Sequence, residues 1–123
     1  MSVRSCIPVI PSADLNHSLR FWVDGLGLTA DRHMYREDKL IGCMVHNEHV
    51  CFWLNERPDS PAAPSDFDGI RLYWTPEDLN ALRDHLASLS FAVSEIEKRH
   101  YGQTEFFVTD DDGHSHCFGV AHN

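Results

Sequence analysis

The sequence predicts an α+β fold of two modules, each running strand, helix and three strands. Three observations predict it. The order of elements occurs twice, the helix opening Asp14-Leu15 returns as Asp78-Leu79 64 residues later, and a proline-rich stretch divides the halves. A repeat near half of the 123-residue length, with no closed sheet inside either half, suggests that the two sheets complete one another, within one chain or between two.

The first module covers about residues 1–56. Arg4 to Ile10 is short, apolar and β-branched, and Pro8 and Pro11 mark it as a strand near a sheet edge or one that ends early. A helix follows, capped by Ser12 or Asp14. Leu15, Ser18, Leu19, Trp22, Val23 and Leu26 recur at offsets of three and four and form one buried stripe, and Gly25 and Gly27 end it. Three strands are then expected at Leu28 to Arg36, Leu40 to His46 and Val50 to Asn55, separated by polar turns at Glu37-Asp38-Lys39 and Asn47-Glu48.

The connector, about 57–68, carries Pro58, Pro61 and Pro64 among Ala, Ser and Asp, a composition suited to an extended link. The second module, about 69–123, repeats the order. Gly69 to Trp74 reads as a strand, and Thr75-Pro76-Glu77-Asp78 as a helix start with Thr75 as cap and Pro76 in the first position. Leu79, Leu82, Leu86 and Leu89 make its buried stripe. Strands follow at Ala92 to Lys98, Thr104 to Thr109 and Ser115 to Val120, the last two joined by the turn Asp110-Asp111-Asp112-Gly113.

Composition narrows the function. A formal charge of −9 repels phosphate backbones and anionic lipid, which disfavours nucleic-acid binding and attracts cations. There is no apolar run long enough for a membrane span and no basic-then-apolar opening segment, so a cytoplasmic protein is expected. Cys6, Cys43, Cys51 and Cys117 show no C-x-x-C spacing and read as reduced thiols.

Two stretches carry a family resemblance. I-P-V-I-P-S-A-D-L-N-H-S-L-R-F-W-V-D-G-L-G-L (Ile7 to Leu28) resembles the opening strand, helix and Gly-ended turn of the vicinal oxygen chelate superfamily. That superfamily contains glyoxalases, extradiol dioxygenases, fosfomycin-resistance enzymes and bleomycin-resistance proteins. Y-G-Q-T-E-F-F-V-T-D-D-D-G-H (Tyr101 to His114) resembles its closing hairpin, with Tyr101 for the usual Trp and Asp111 for the usual Pro. Of the branches, the chain is most similar to the bleomycin-resistance proteins. The resemblance implies curved mixed sheets around a cleft, a homodimer sharing two such clefts, and a ligand-stacking role for Tyr101.

In metal-dependent members of that superfamily, the first and last strands of each module each contribute one ligand. Counting back from the helix-opening aspartates and forward from Gly113 puts Ile7, Leu54, Arg71 and Cys117 at those places. Ile and Leu cannot ligate, Arg71 repels a divalent ion, and one thiol makes no site. Of the other clusters, His46, Glu48 and His49 read as a solvated hairpin, His114 and His116 share a strand face with i, i+2 spacing, and Asp110 to Gly113 reads as a tight turn rather than a calcium loop. The expected protein has no metal and no cofactor.

Strand alternation then assigns the cleft. If Ile7 and Cys117 face it, so do Val9, Ser115 and Gly119, with Phe52, Leu54, Arg71 and Tyr73, while Trp53, Leu72, Trp74 and Phe118 face the helices as core. The expected ligand-binding residues are Phe52, Leu54, Arg71, Tyr73, Tyr101, Glu105 and Cys117. This apolar, aromatic lining suits a small organic ligand, aromatic or cationic, sequestered unchanged. The sequence contains no nucleophile elbow and no phosphate loop. The alternative is an enzyme on the same scaffold, a glyoxalase-like lyase or dioxygenase, using a metal ion or using Cys117, with Arg71 opposite to activate the thiol, or Glu105 as base. A third reading is a purely structural or partner-binding dimer.

Overall fold

The computed structural model describes residues 2–57 and 72–122. The chain divides into two compact units, Met1–Ser60 and Pro61–Asn123. The expected connector from residue 58 onward, the start of the expected strand Gly69 to Trp74, and Arg71 lie outside the described residues.

In the first unit, β1 (Val9–Ser12) leads to α1 (Leu15–Leu19), a π-helical segment (Arg20–Gly25), β2 (Thr29–Arg36), β3 (Lys39–His46) and β4 (Cys51–Glu56). The sheet order is β1-β4-β3-β2, with β1 parallel to β4 and the other pairs antiparallel. β1 starts later than its apolar residues suggest. Pro11 is tolerated within it because β1 lies at the sheet edge.

Asp14 caps α1, its carboxylate accepting from the His17 N–H at 3.3 Å. The helix then widens, with Leu26 N donating to Phe21 O, five residues back. This added residue per turn rotates the stripe expected at 3.6-residue spacing. Phe21 and Trp22 are fully buried, whereas Val23 turns outward. Gly27, at φ +71°, supplies the left-handed residue that closes the element.

Residues aligned across neighbouring strands share a face of the sheet. Ile10, Leu54 and Cys43 form one row, and Phe52 and Val45 the next; all are buried. The Trp22 ring meets Phe52 edge-on at 4.8 Å, so this face lies under the helix. The other face carries Val9, Trp53 and Met44. Burial, reinforced by the Asp31 carboxylate, pushes the Cys43 thiol up to about 11.

At one end of the sheet, Arg36 donates to both oxygens of Glu56 at 2.7 and 3.0 Å, and Lys39 Nζ donates to Oε1 at 3.0 Å. The hydrogen bonds from Arg36, then Lys39, hold the Glu56 carboxyl down to about 2 from its ordinary 4.5. A lowered folded-state value stabilises the fold fully above pH 4.5, and the gain disappears as pH falls through about 2. Glu56→Gln therefore melts below wild type at pH 6, and the gap closes as the pH approaches 2. Thermal melts across that range check this, and a gap independent of pH contradicts it.

In the second unit, β5 (Tyr73–Trp74) leads to α2 (Leu79–Ser88), β6 (Ala92–Val93), β7 (Glu97–Lys98), β8 (Gln103–Thr109) and β9 (Ser115–Ala121). The order is β5-β9-β8-β6, with β7 also paired to β8 and β5 parallel to β9. The cap of α2 is Asp78 rather than Thr75: its carboxylate accepts from Ala81 N at 3.0 Å. The helix accordingly starts three residues later than Thr75-Pro76 implies, and both helix-opening aspartates are caps.

The strand expected over Ala92 to Lys98 is two pieces. Between them, Ser94 Oγ accepts from Phe107 N at 2.8 Å, so a hydroxyl replaces a backbone carbonyl in the ladder. On one face of the sheet, Trp74, Phe118 and Phe106 stack in sequence at 5.9 and 5.7 Å, an aromatic spine buried at Phe118 and Phe106 and half-buried at Trp74. The hairpin joining β8 and β9 closes through Gly113 N to Asp110 O at 3.1 Å, with Gly113 at φ +87°.

Candidate functional site

The face of the second sheet opposite the aromatic spine carries the chemistry. Register puts Tyr73, Cys117 and Phe107 in one row across β5, β9 and β8, with Glu105 opposite Gly119 in the next. Glycine at 119 leaves room there: a Cβ would crowd the Gln103 and Glu105 side chains. The missing side chain lets Glu105 lie across the strand.

Glu105 is 0% exposed. Its Oε2 accepts from Cys117 Sγ at 2.6 Å, and its Oε1 lies 3.4 Å from Arg99 Nε without forming a hydrogen bond. A buried carboxylate is costly unless paired and hydrogen-bonded, and Glu105 meets that condition at one oxygen only. Tyr73, 57% exposed, presents a phenol ring on the same face.

A second buried network lies on the opposite face. Asp110 Oδ1 accepts from the backbone N–H groups of Asp112 and His114, both at 2.9 Å, and Oδ2 lies 2.8 Å from His116 Nε2. Trp74 Nε1 lies 3.2 Å from His116 Nδ1. An indole N–H can only donate, so Nδ1 is the accepting nitrogen and Nε2 carries the proton donated to Asp110. His116 is thereby committed through both ring nitrogens and is not placed as a metal ligand, which removes the His114–His116 chelate from consideration.

The sequence-derived site divides. Glu105 and Cys117 come together, and Tyr73 is beside Cys117 on the neighbouring strand. Tyr101 sits 55% exposed in the turn between β7 and β8, edge-on to His100 at 5.2 Å. Arg71 lies outside the described residues. Phe52 and Leu54 are corrected: they face the helix as core, and Trp53 takes the other face with Val9. The error is a one-residue slip, which turns every side chain of a strand over. The 64-residue offset already contained the right answer, since it pairs Val9 with Tyr73 and Trp53 with Cys117. By the same register Trp74 and Phe118 fall on the spine face as expected.

The described donors do not fit a divalent ion. Ile7 has no donor atom, and among the described residues no three His, Cys, Asp or Glu side chains group as a metal site. Glu105 and Cys117 are bonded to each other with a guanidinium beside them, a cation that opposes a second one. His46 pairs with Asp31 at 2.9 Å, and His49 contacts Glu48 at 3.5 Å on the surface. All four cysteines are free. Among the described residues no helix is long and apolar enough to cross a membrane.

No curated protein matches the chain in sequence. Solved structures match its fold. A glyoxalase-related enzyme from Clostridium phytofermentans superposes with a TM-score of 0.77 at 17% identity, covering 98% of this chain and 97% of that one. A protein of unknown function from Agrobacterium tumefaciens superposes with a TM-score of 0.75 at 23% identity, covering 97% and 94%. At such identities the likeness extends to the fold alone. The family model for the Glyoxalase/Bleomycin resistance protein/Dioxygenase superfamily matches residues 7–118, and the chain belongs to that superfamily.

Proposed function

We propose that the protein is a metal-independent small-molecule-binding protein of the bleomycin-resistance type. It sequesters an aromatic or cationic organic ligand, unchanged, on the Tyr73 face of the second sheet. The observation that carries this reading is a buried carboxylate, Glu105, on the same sheet face as a half-exposed aromatic ring, Tyr73. An aromatic body gains from burial against the ring, and a cationic group gains a charge-assisted bond to the carboxylate. The net charge of −9 favours the approach of such a ligand. A second copy of the chain completes the cleft, and the protein acts in the cytoplasm, where its four free thiols stay reduced.

Calorimetric titration with bleomycin-class compounds and other aromatic cations tests the reading. Wild type gives saturable heat at pH 7, and Glu105→Gln binds about tenfold or more weakly, the value of one hydrogen bond to a charged group. No heat with any aromatic cation, or equal binding by Glu105→Gln, overturns it.

One observation favours a second reading, an enzyme on the same scaffold. Cys117 Sγ donates to Glu105 Oε2 at 2.6 Å, so a carboxylate stands where it can take the thiol proton. In that case an electrophilic substrate forms an adduct with Cys117, visible by mass spectrometry and absent in Cys117→Ser.

A further inference from the structure

Glu97 and Glu105 are direct cross-strand partners on β7 and β8, an arrangement that places like charges opposite one another. Arg99 neutralises both, unequally. Its Nη1 lies 2.8 Å from Glu97 Oε2, where the Glu97 side chain is 54% exposed. Its Nε lies 3.4 Å from Oε1 of the wholly buried Glu105, and neither atom makes a hydrogen bond. The short contact is with the exposed acid, where an ion pair contributes little, and the buried acid has the misaligned one. The Arg99 side chain is itself 36% exposed.

We infer that Arg99 is a displaceable internal competitor for the ligand's cation, and that Glu105 Oε1 selects organic cations bearing N–H donors. The inference rests on the ligand-binding reading above. It adds the ligand class, ammonium, amidinium or guanidinium rather than quaternary ammonium, and it names the residue that sets affinity. A ligand N–H aimed at Oε1 makes the hydrogen bond that Arg99 Nε does not, while Arg99 remains anchored by Glu97 as it swings away. The ligand's cation replaces the charge that Arg99 withdraws, so the buried carboxylate stays paired, and the contact given up is one without a hydrogen bond. A quaternary ammonium has the charge but no donor, so it leaves Oε1 without a hydrogen bond.

Titration of wild type, Arg99→Ala and Arg99→Ala/Glu105→Gln with benzamidine and with phenyltrimethylammonium tests this. Arg99→Ala binds benzamidine about tenfold or more tightly than wild type, gains no affinity for phenyltrimethylammonium, and loses the benzamidine gain when Glu105→Gln is added. Arg99→Met, which keeps the aliphatic stem, shows the same order and provides the comparison if alanine disturbs the fold. The inference is overturned if benzamidine affinity is unchanged in both Arg99 variants, if the gain survives Glu105→Gln, or if both cations gain equally. Absence of binding to wild type alone counts against the ligand-binding reading, whereas absence of a gain in the variants counts against the competitor role of Arg99.

Discussion

Asp110→Ala lowers the unfolding free energy by about 3–5 kcal/mol, among the largest single-residue effects expected in the chain. The Asp110 side chain is 0% exposed, and its carboxylate accepts from Asp112 N, His114 N and His116 Nε2. Alanine removes three charge-assisted bonds and leaves those donors without this acceptor in the interior, which costs more than the bonds contribute on balance. The damage reaches the core through His116, because the Asp110 bond holds the tautomer whose Nδ1 accepts from Trp74. Chemical denaturation at pH 7 measures the loss, and Trp74 emission shifts with it. A loss under about 1 kcal/mol contradicts the network's role.

Phe52→Ala and Trp53→Ala, neighbours on β4, differ sharply. Phe52 is 2% exposed and packs edge-on against Trp22, so truncation opens a cavity under the helix and costs about 3–5 kcal/mol. Trp53 faces the other way and is only half-buried, so its loss costs roughly half as much or less despite the larger side chain. Parallel denaturation of the two variants reads the orientation of the whole strand. If Trp53→Ala is the more damaging, the face assignment of the first sheet is reversed.

Much of the fold was legible from the order of elements because each had a local cause. Asp14 and Asp78 read as matching helix openings, and both are caps; β3, β4, β8 and β9 lie within a residue or two of their apolar runs. Thr75 misled because Thr-Pro imitates a helix start, while the carboxylate of Asp78 was the group able to reach Ala81 N. The break at Ser94 had no local signal, since it depends on a serine hydroxyl meeting a backbone N–H thirteen residues away. The widening at Arg20–Gly25 likewise had no signal in the three-and-four spacing of the apolar residues.

The candidate site was legible in part. Alternation along β9 placed Cys117 opposite the spine face, and charge complementarity offered Glu105 two arginine partners, Arg71 or Arg99, of which Arg99 is the one beside it. That Cys117 would bond to Glu105 was not, because it depends on Gly119 leaving space across the strand. Phe52 and Leu54 were misplaced because an apolar strand buried on one face and half-buried on the other shows no clean alternation.

The most direct test is a crystal structure of the protein soaked with an aromatic amidinium. The proposed role of Glu105 predicts density on the sheet face bearing Tyr73, with the amidinium within hydrogen-bonding distance of Glu105 Oε1 and Arg99 displaced. A transition-metal ion ligated by Cys117 and Glu105, or ligand density only on other surfaces, contradicts it.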